Sequence, residues 1–573
     1  MVVPMMALAL ALTACGDDQT RDMSTDLELN VARFDWMRYE GEDPVYKNVP
    51  KNEGQYFNPI LTGFYPDPSI TRAGDKFYIV TSTFTYFPGL PIFESTDLVN
   101  WTQIGNAIDR PGMLDFGGQN KNGLAISRGV FAPVIKEHAG IYYIANTCVD
   151  CRGNFILTAK NPAGPWSDPV WLPEIGGIDP SLFFDEDGKV YLMNNDAPPE
   201  AEPLYSGHRA IWMREIDPLT FQSISEPVVL INGGVRREEK PIWIEGPSIY
   251  KKGDWYYLSA AEGGTAEEHS QVVLRSKSVL GPYAAYEHNP IMTQRDMPRD
   301  RANPVTSIGH AAFVTDNSGQ WWASLLGVRP YEGDFYNTGR ETFLLPVTWK
   351  DGWPIILESG VEMPYVLDKP DLPPSMPSRM PMSGNFTIQE DFNADALDLY
   401  WLKIRSARTD WYRLNAGALE LQARTDGLGD FGHPSFIGRR QQHTYASAST
   451  RLAFNPQKRG DEAGLSAFQN DNFYYALGIT RNDAGERIVH VRKRAGRDDP
   501  AKGQLLATGP LKTDGHIVLK ITAKGGAYDF SYKEEGRDWV MLYEDADGKT
   551  LSTRTAGGFV GTIFGMYVVT DQQ

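Results

Sequence analysis

Apolar and polar side chains alternate along one pattern that recurs five times in this chain. Each copy has a small polar motif, a hydrophobic pair, a turn containing Gly, Asp or Lys, and then an aromatic run. The copies read DPSITRAGDKFYIV from 67, APVIKEHAGIYYIA from 132, DPSLFFDEDGKVYLM from 179, GPSIYKKGDWYYLS from 246 and HAAFVTDNSGQWWAS from 310. Period-two alternation on both sides of a Gly-rich turn predicts a β-hairpin in each copy. The copies start 65, 47, 67 and 64 residues apart, and no long helical periodicity separates them. Five repeated all-β units predict a β-propeller, in which blades of four strands surround a central channel. At this spacing the blades are large and carry insertions.

The repeat also predicts where chemistry gathers. The innermost strands of a propeller line its axis, so equivalent positions of the copies meet at one end of the channel. That position is Asp67 in the first copy, Asp179 in the third and His310 in the fifth, while Glu245 precedes it by one in the fourth. A single Asp beside Pro reads as a turn residue that bonds its own backbone. A turn does not explain three carboxylates and a histidine at matching places. Converging carboxylates suit two chemistries, metal binding and proton transfer at an acetal. The second needs one carboxyl protonated and one ionised, which in inverting glycosidases stand roughly 6.5 to 9.5 Å apart. A third carboxylate would help the acid keep its proton.

Beyond the repeats, KPDLPPSMPSRMPMSG (369–384) reads as a proline-rich linker. After it come GALELQA, HIVLKITA and YDFSYKE, short alternating strands that predict a β-sandwich. The expected organisation is a propeller over 55–366, a linker over 367–384 and a sandwich over 385–573. Ahead of these, MVVPMMALALALTAC is too short to cross a bilayer and has the form of a signal peptide, residues 1–15. Its Leu-Thr-Ala-Cys ending resembles a bacterial lipoprotein box, which makes Cys15 the lipidated residue. No Lys or Arg precedes the apolar run, a departure from that pattern. The expectation is an exported protein, anchored by lipid in the periplasm or outer membrane of a bacterium, with residues 16–54 as a polar tether. Gly16 follows the cysteine, so no Asp stands there as an inner-membrane retention signal.

Composition narrows the partners. A chain of 573 residues with 41% hydrophobic and 22% charged residues is globular. Its net charge of −18 argues against nucleic acid, whose phosphates need a basic surface. Aromatic residues at 12% suit stacking on sugars and suit an all-β core equally well. Cys148 and Cys151 remain, and in an exported protein they read as a local disulfide or two quiet thiols. Zinc would want a second such pair.

From about Asn58 to Pro354 the chain carries NPILTGFYPDPS, STFTYFPG, GGIDPSLFFDEDG, WIEGPSIY, AEGGT, SIGHAAFV and GRET in order. In these motifs it resembles glycoside hydrolase family 43, the β-xylosidases and α-L-arabinofuranosidases, including their C-terminal concanavalin-like β-sandwich. The resemblance implies a five-bladed propeller and an inverting mechanism. It makes Asp67 the general base, Glu245 the general acid and Asp179 the residue that orients the acid and tunes its pKa. It also makes Arg340 a binder of sugar hydroxyls, Phe84 and Phe131 lining aromatics, and Phe559, in GGFVGTIFGMYV, an aromatic lent by the sandwich. Phe131 stands where many members carry Trp. The resemblance places His310 near the channel centre, close to a structural calcium, with no cofactor needed for the reaction. The chain closes at Asp-Gln-Gln, where the resemblance implies a further strand or so. The substrate class implied is a xylo- or arabino-oligosaccharide that loses terminal β-D-xylose or α-L-arabinofuranose. The alternatives are an endo-arabinanase and a non-catalytic glycan-binding lipoprotein.

Overall fold

The computed structural model describes residues 30–47, 53–116 and 123–571. The signal peptide, Cys15 and the tether expected over 16–29 and 48–52 lie outside the described residues.

The five repeats are five blades. Their first hairpins are Ser69–Ala73 with Lys76–Val80, Val134–His138 with Ile141–Val149, Ile178–Phe184 with Val190–Asp196, Glu245–Lys252 with Trp255–Glu262, and Thr306–Thr315 with Trp321–Val328. Each hairpin is extended outward into a sheet of four or five strands. The first strand of each blade packs against that of the next, and the fifth returns to the first, which closes the ring.

Four of the five first strands share a device at their inner ends. Asp67, Asp179, Gly246 and His310 have φ of 54°, 56°, 57° and 50°, in the left-handed region. In the third, fourth and fifth blades the pairing with the next strand slips beside this residue, between Ile178 and Ser181, Glu245 and Ser248, and Gly309 and Ala312. A bulge with a left-handed residue re-aims the side chains at a strand end. Non-glycine residues there are strained by about 1–3 kcal/mol, and such strain concentrates at functional sites. The common position read from the repeat is thus a common backbone distortion.

The C-terminal domain is a sandwich of an eight-stranded and a six-stranded sheet. One of its strands comes from the other end of the chain. The tether expected over 16–54 is overturned where the structure describes it: Val31–Gly41 is a strand, and Pro44–Lys47 a 3-10 turn. The strand pairs with Leu419–Gln422, Phe386–Glu390 and Tyr445–Ala453 inside the eight-stranded sheet. Its charged residues make the stretch polar on average, but Ala32, Phe34, Met37 and Tyr39 alternate with them and are buried. The two-residue period, interrupted by a bulge between Phe34 and Trp36, decides the structure where mean composition does not.

The linker is packed along the propeller. Val366–Asp368 pairs with Gln55–Phe57, Ser375 N–H donates to Asp97 Oδ2 at 3.0 Å, and Met380 and Met382 are buried. Phe34, Tyr65, Trp101, Leu344, Trp401 and Leu421 belong to one apolar core that runs across both domains. Cys148 and Cys151 are joined in a disulfide.

Candidate active site

Asp67, Asp179 and Glu245 line one cavity of about 320 Å³, together with His310, Arg340, Phe84, Phe131 and Phe559. Every site residue expected from the sequence is therefore brought to one place.

Each acid is held differently. Asp67 is buried at the inner end of the first blade. Ser82 Oγ donates to its Oδ2 at 2.6 Å, and Arg340 Nη1 lies 3.3 Å from its Oδ1. Burial alone would raise its pKa, but the Arg340 guanidinium, His310 and the Ser82 hydroxyl outweigh burial and hold the carboxyl below its usual range. Asp179 accepts the Gly246 N–H at 3.0 Å through Oδ2. Burial raises it to about 6; His310 opposes that rise and the negative charge of Asp67 adds to it. Glu245 is pushed well above the usual carboxylate range, first by burial and then by Asp179 and Asp67. One pocket thus holds one carboxyl below the usual carboxylate range and another well above it, the pattern of environments that separates a base from an acid.

Glycines let the parts approach. A Cβ on Gly246 would stand 2.8 Å from His310 Cε1, and one on Gly309 would stand 2.5 Å from the His269 ring. His269 is buried against that glycine, its Nδ1 bonded to Ser307 O at 2.9 Å, and burial lowers its pKa to about 4. It is neutral near pH 7.

The family profile for glycosyl hydrolases family 43 matches residues 56–354, and that for the β-xylosidase C-terminal concanavalin A-like domain matches 389–573. The chain belongs to glycosyl hydrolases family 43. It is 38% identical over 528 residues to a "Xylosidase/arabinosidase" of Butyrivibrio fibrisolvens, covering 89% of this chain and 95% of that protein. It is also 38% identical to a "Non-reducing end alpha-L-arabinofuranosidase" of Bacteroides ovatus, covering 91% and 92%. The crystal structure of a GH43_12 protein from a capybara gut metagenome superposes with a TM-score of 0.86 at 37% identity, covering 95% of this chain and all of that one. The fold is thus the family's five-bladed propeller with a concanavalin-like sandwich, and the protein is a glycoside hydrolase.

In this family member the pocket wall is aromatic and comes from both domains. The rings of Phe84, Phe131 and Phe559 stand 5.5 to 6.0 Å apart, and the Arg340 guanidinium lies 4.9 Å from the Phe559 ring. The Phe559 N–H donates to Ser127 Oγ at 2.9 Å, which ties the sandwich loop to the propeller.

The sequence reading missed several lining residues, among them Trp243, Arg128, Thr265 and His269. Trp243 stands two residues before Glu245, but it precedes the strand and its backbone is left-handed, with φ of 50°, so strand alternation gave no signal for it. The Arg209 guanidinium sits 4.2 Å over its ring. Arg128 gave no local signal; the Asp150 carboxylate, 2.5 Å from its Nε, turns it along the rim.

Calcium takes six to eight oxygen ligands. Among the described residues no three His, Cys, Asp or Glu side chains group as metal ligands. His310 brings a nitrogen to the axis, and no step below runs through a metal.

Proposed function

We propose that this glycoside hydrolase removes single terminal β-D-xylose or α-L-arabinofuranose units from hemicellulose-derived oligosaccharides, with inversion at the anomeric carbon. The observation that carries the reading is the opposed tuning of Asp67 and Glu245 in one cavity. Asp67, ionised and steadied by Ser82 and Arg340, takes a proton from water as the water attacks the anomeric carbon. Glu245 gives its proton to the departing glycosidic oxygen as that bond breaks. Asp179, bonded to the amide beside Glu245, sets the position of the acid and adds the negative charge that keeps it protonated. Arg340 lies between Asp67 and Phe559 and presents its remaining N–H groups to sugar hydroxyls. The Phe84, Phe131 and Phe559 rings give the sugar an apolar wall.

The names of the two relatives support both sugars as substrates. A pocket closed on one side by Phe559 suits a terminal unit better than the middle of an arabinan chain, and three intact acids speak against a purely binding role. The test is release of nitrophenol from the β-D-xylopyranoside and the α-L-arabinofuranoside, with Glu245→Gln as control. Cleavage of at least one, lost by about two to four orders of magnitude in the variant, is expected. Wild-type inactivity on both, or an unimpaired variant, would sink the reading. Proton NMR of the first-formed sugar anomer reports inversion.

Lipid anchoring through Cys15 rests on the apolar run and its Leu-Thr-Ala-Cys ending. Labelling the expressed full chain and its Cys15→Ser variant with a clickable fatty acid tests it. Equal labelling of the two would overturn the assignment.

A further inference from the structure

Residues 31–47 lie outside both family-matched ranges, yet they carry a buried charge that reaches the catalytic pocket in three links. Asp43 is 2% exposed and sits where three segments meet. Its N–H donates to Asn385 Oδ1 at 2.7 Å, and its Oδ1 accepts the Tyr445 N–H at 2.9 Å. Its Oδ2 lies 2.6 Å from Arg329 Nη1. Arg329, 5% exposed, forks onto Glu341 with Nε to Oε2 at 2.5 Å and Nη2 to Oε1 at 3.0 Å. Its Nη2 also donates to Gln442 O at 3.3 Å, and the Tyr46 ring lies 5.6 Å from the guanidinium.

Glu341 follows Arg340 directly, and its Oε1 accepts the Gly63 N–H at 2.8 Å. The two segments run side by side from there: Tyr65 N–H donates to Arg340 O at 3.0 Å, and Ile60 N–H to Thr342 O at 2.8 Å. The segment that begins at Gly63 ends at Asp67, and Arg340 ends 3.3 Å from that same carboxylate. Glu341 therefore grips both backbones whose side chains form the Asp67–Arg340 pair, and Arg329 and Asp43 grip Glu341.

We propose that Asp43 is a positioning residue for catalysis: through Arg329 and Glu341, the N-terminal strand and the sandwich hold Arg340 and Asp67 in register. Two carboxylates around one buried guanidinium make a bidentate, directional joint, which fixes geometry better than apolar packing does. Removing one charge leaves a buried Arg329 with half its partners, and the joint relaxes toward Glu341 alone. The consequence falls on the base, because Arg340 is the strongest opponent of burial at Asp67.

The inference rests on Asp67 being the base, and its test separates the two claims. Wild-type hydrolysis of the nitrophenyl glycosides, with its acid limb, speaks to the base. The ratio of variant to wild type speaks to Asp43. Asp43→Asn and Arg329→Lys are each measured for kcat, KM and the pH profile of kcat/KM at a temperature where circular dichroism shows them folded. Met37→Ala, on the strand Val31–Gly41 that leads into Asp43 and buried in the apolar core, serves as the control for lost stability. Misplacement by a fraction of an ångström predicts about a tenfold fall in kcat/KM. The acid limb should move to higher pH in both joint variants and stay put in Met37→Ala, and Asp43→Glu should recover part of the loss. The proposal is overturned if either folded joint variant keeps the wild-type acid limb and kcat/KM, or if Met37→Ala moves the limb as far as they do. Should Asp43→Asn fail to fold, Arg329→Lys, which keeps the charge but lacks the fork, decides alone.

Discussion

Adding one methyl group at Gly246 tests whether the inner-strand distortion positions the acid. The Gly246→Ala substitution removes no catalytic side chain. The backbone there has φ of 57°, where a Cβ costs about 1–2 kcal/mol in folding free energy. The new Cβ would meet His310 Cε1 at 2.8 Å, Nε2 at 2.9 Å and Nδ1 at 3.1 Å. Ordinary contact begins near 3.4 Å. The ring or the strand must therefore give by about 0.6 Å, because cores have no room to absorb such overlap. His310 is itself at φ of 50° on the facing strand end, so its own backbone is already constrained. The strand carrying Glu245, and the Gly246 N–H bonded to Asp179, take much of the movement. A misplacement of about 1 Å costs roughly a hundredfold in rate, so about 0.6 Å predicts a ten- to hundredfold fall, chiefly in kcat. Thermal unfolding should fall by only a few degrees, since the strain is small beside the whole domain. The assay is steady-state release of nitrophenol at saturating substrate, beside a melting curve. A Gly246→Ala enzyme within twofold of wild type in kcat would refute the idea that this contact sets the geometry of the acid.

Two further outcomes follow from the same pocket. Asp179 has its folded pKa raised to about 6 from an unfolded value near 4, so the folded state holds an extra proton between these values and loses stability as pH rises through that window. Asp179→Asn should therefore melt a few degrees higher than wild type at pH 7, lose that advantage near pH 3 and fall at least a hundredfold in kcat/KM; differential scanning calorimetry at both pH values checks it. Phe559→Ala removes the ring that the sandwich sets 4.9 Å from Arg340 and beside Phe84 and Phe131. It should raise KM about tenfold, as expected for a lost aromatic contact of about 1 kcal/mol or more, with a smaller change in kcat; Michaelis curves on either glycoside measure the split.

The sequence by itself determined the blades and the carboxylates. Strand periodicity is local, since successive side chains point to opposite faces whatever the rest of the chain does. The repeat therefore reported five hairpins, and equivalence within the repeat placed Asp67, Asp179, Glu245 and His310 together without any coordinates. Tertiary structure decided what periodicity does not encode. Val31–Gly41 carries the same alternation as any strand, but its partners are several hundred residues away, and a charged stretch ahead of a domain reads as a tether until they are seen. The tuning of the acids was likewise invisible, because desolvation and charge pairing depend on distance in space. Ser82 and Arg340 reach Asp67 from 15 and 273 residues away. The Asp43–Arg329–Glu341 joint is of the same kind: three ordinary charged residues in the sequence become one directional contact only when the fold removes water from around them.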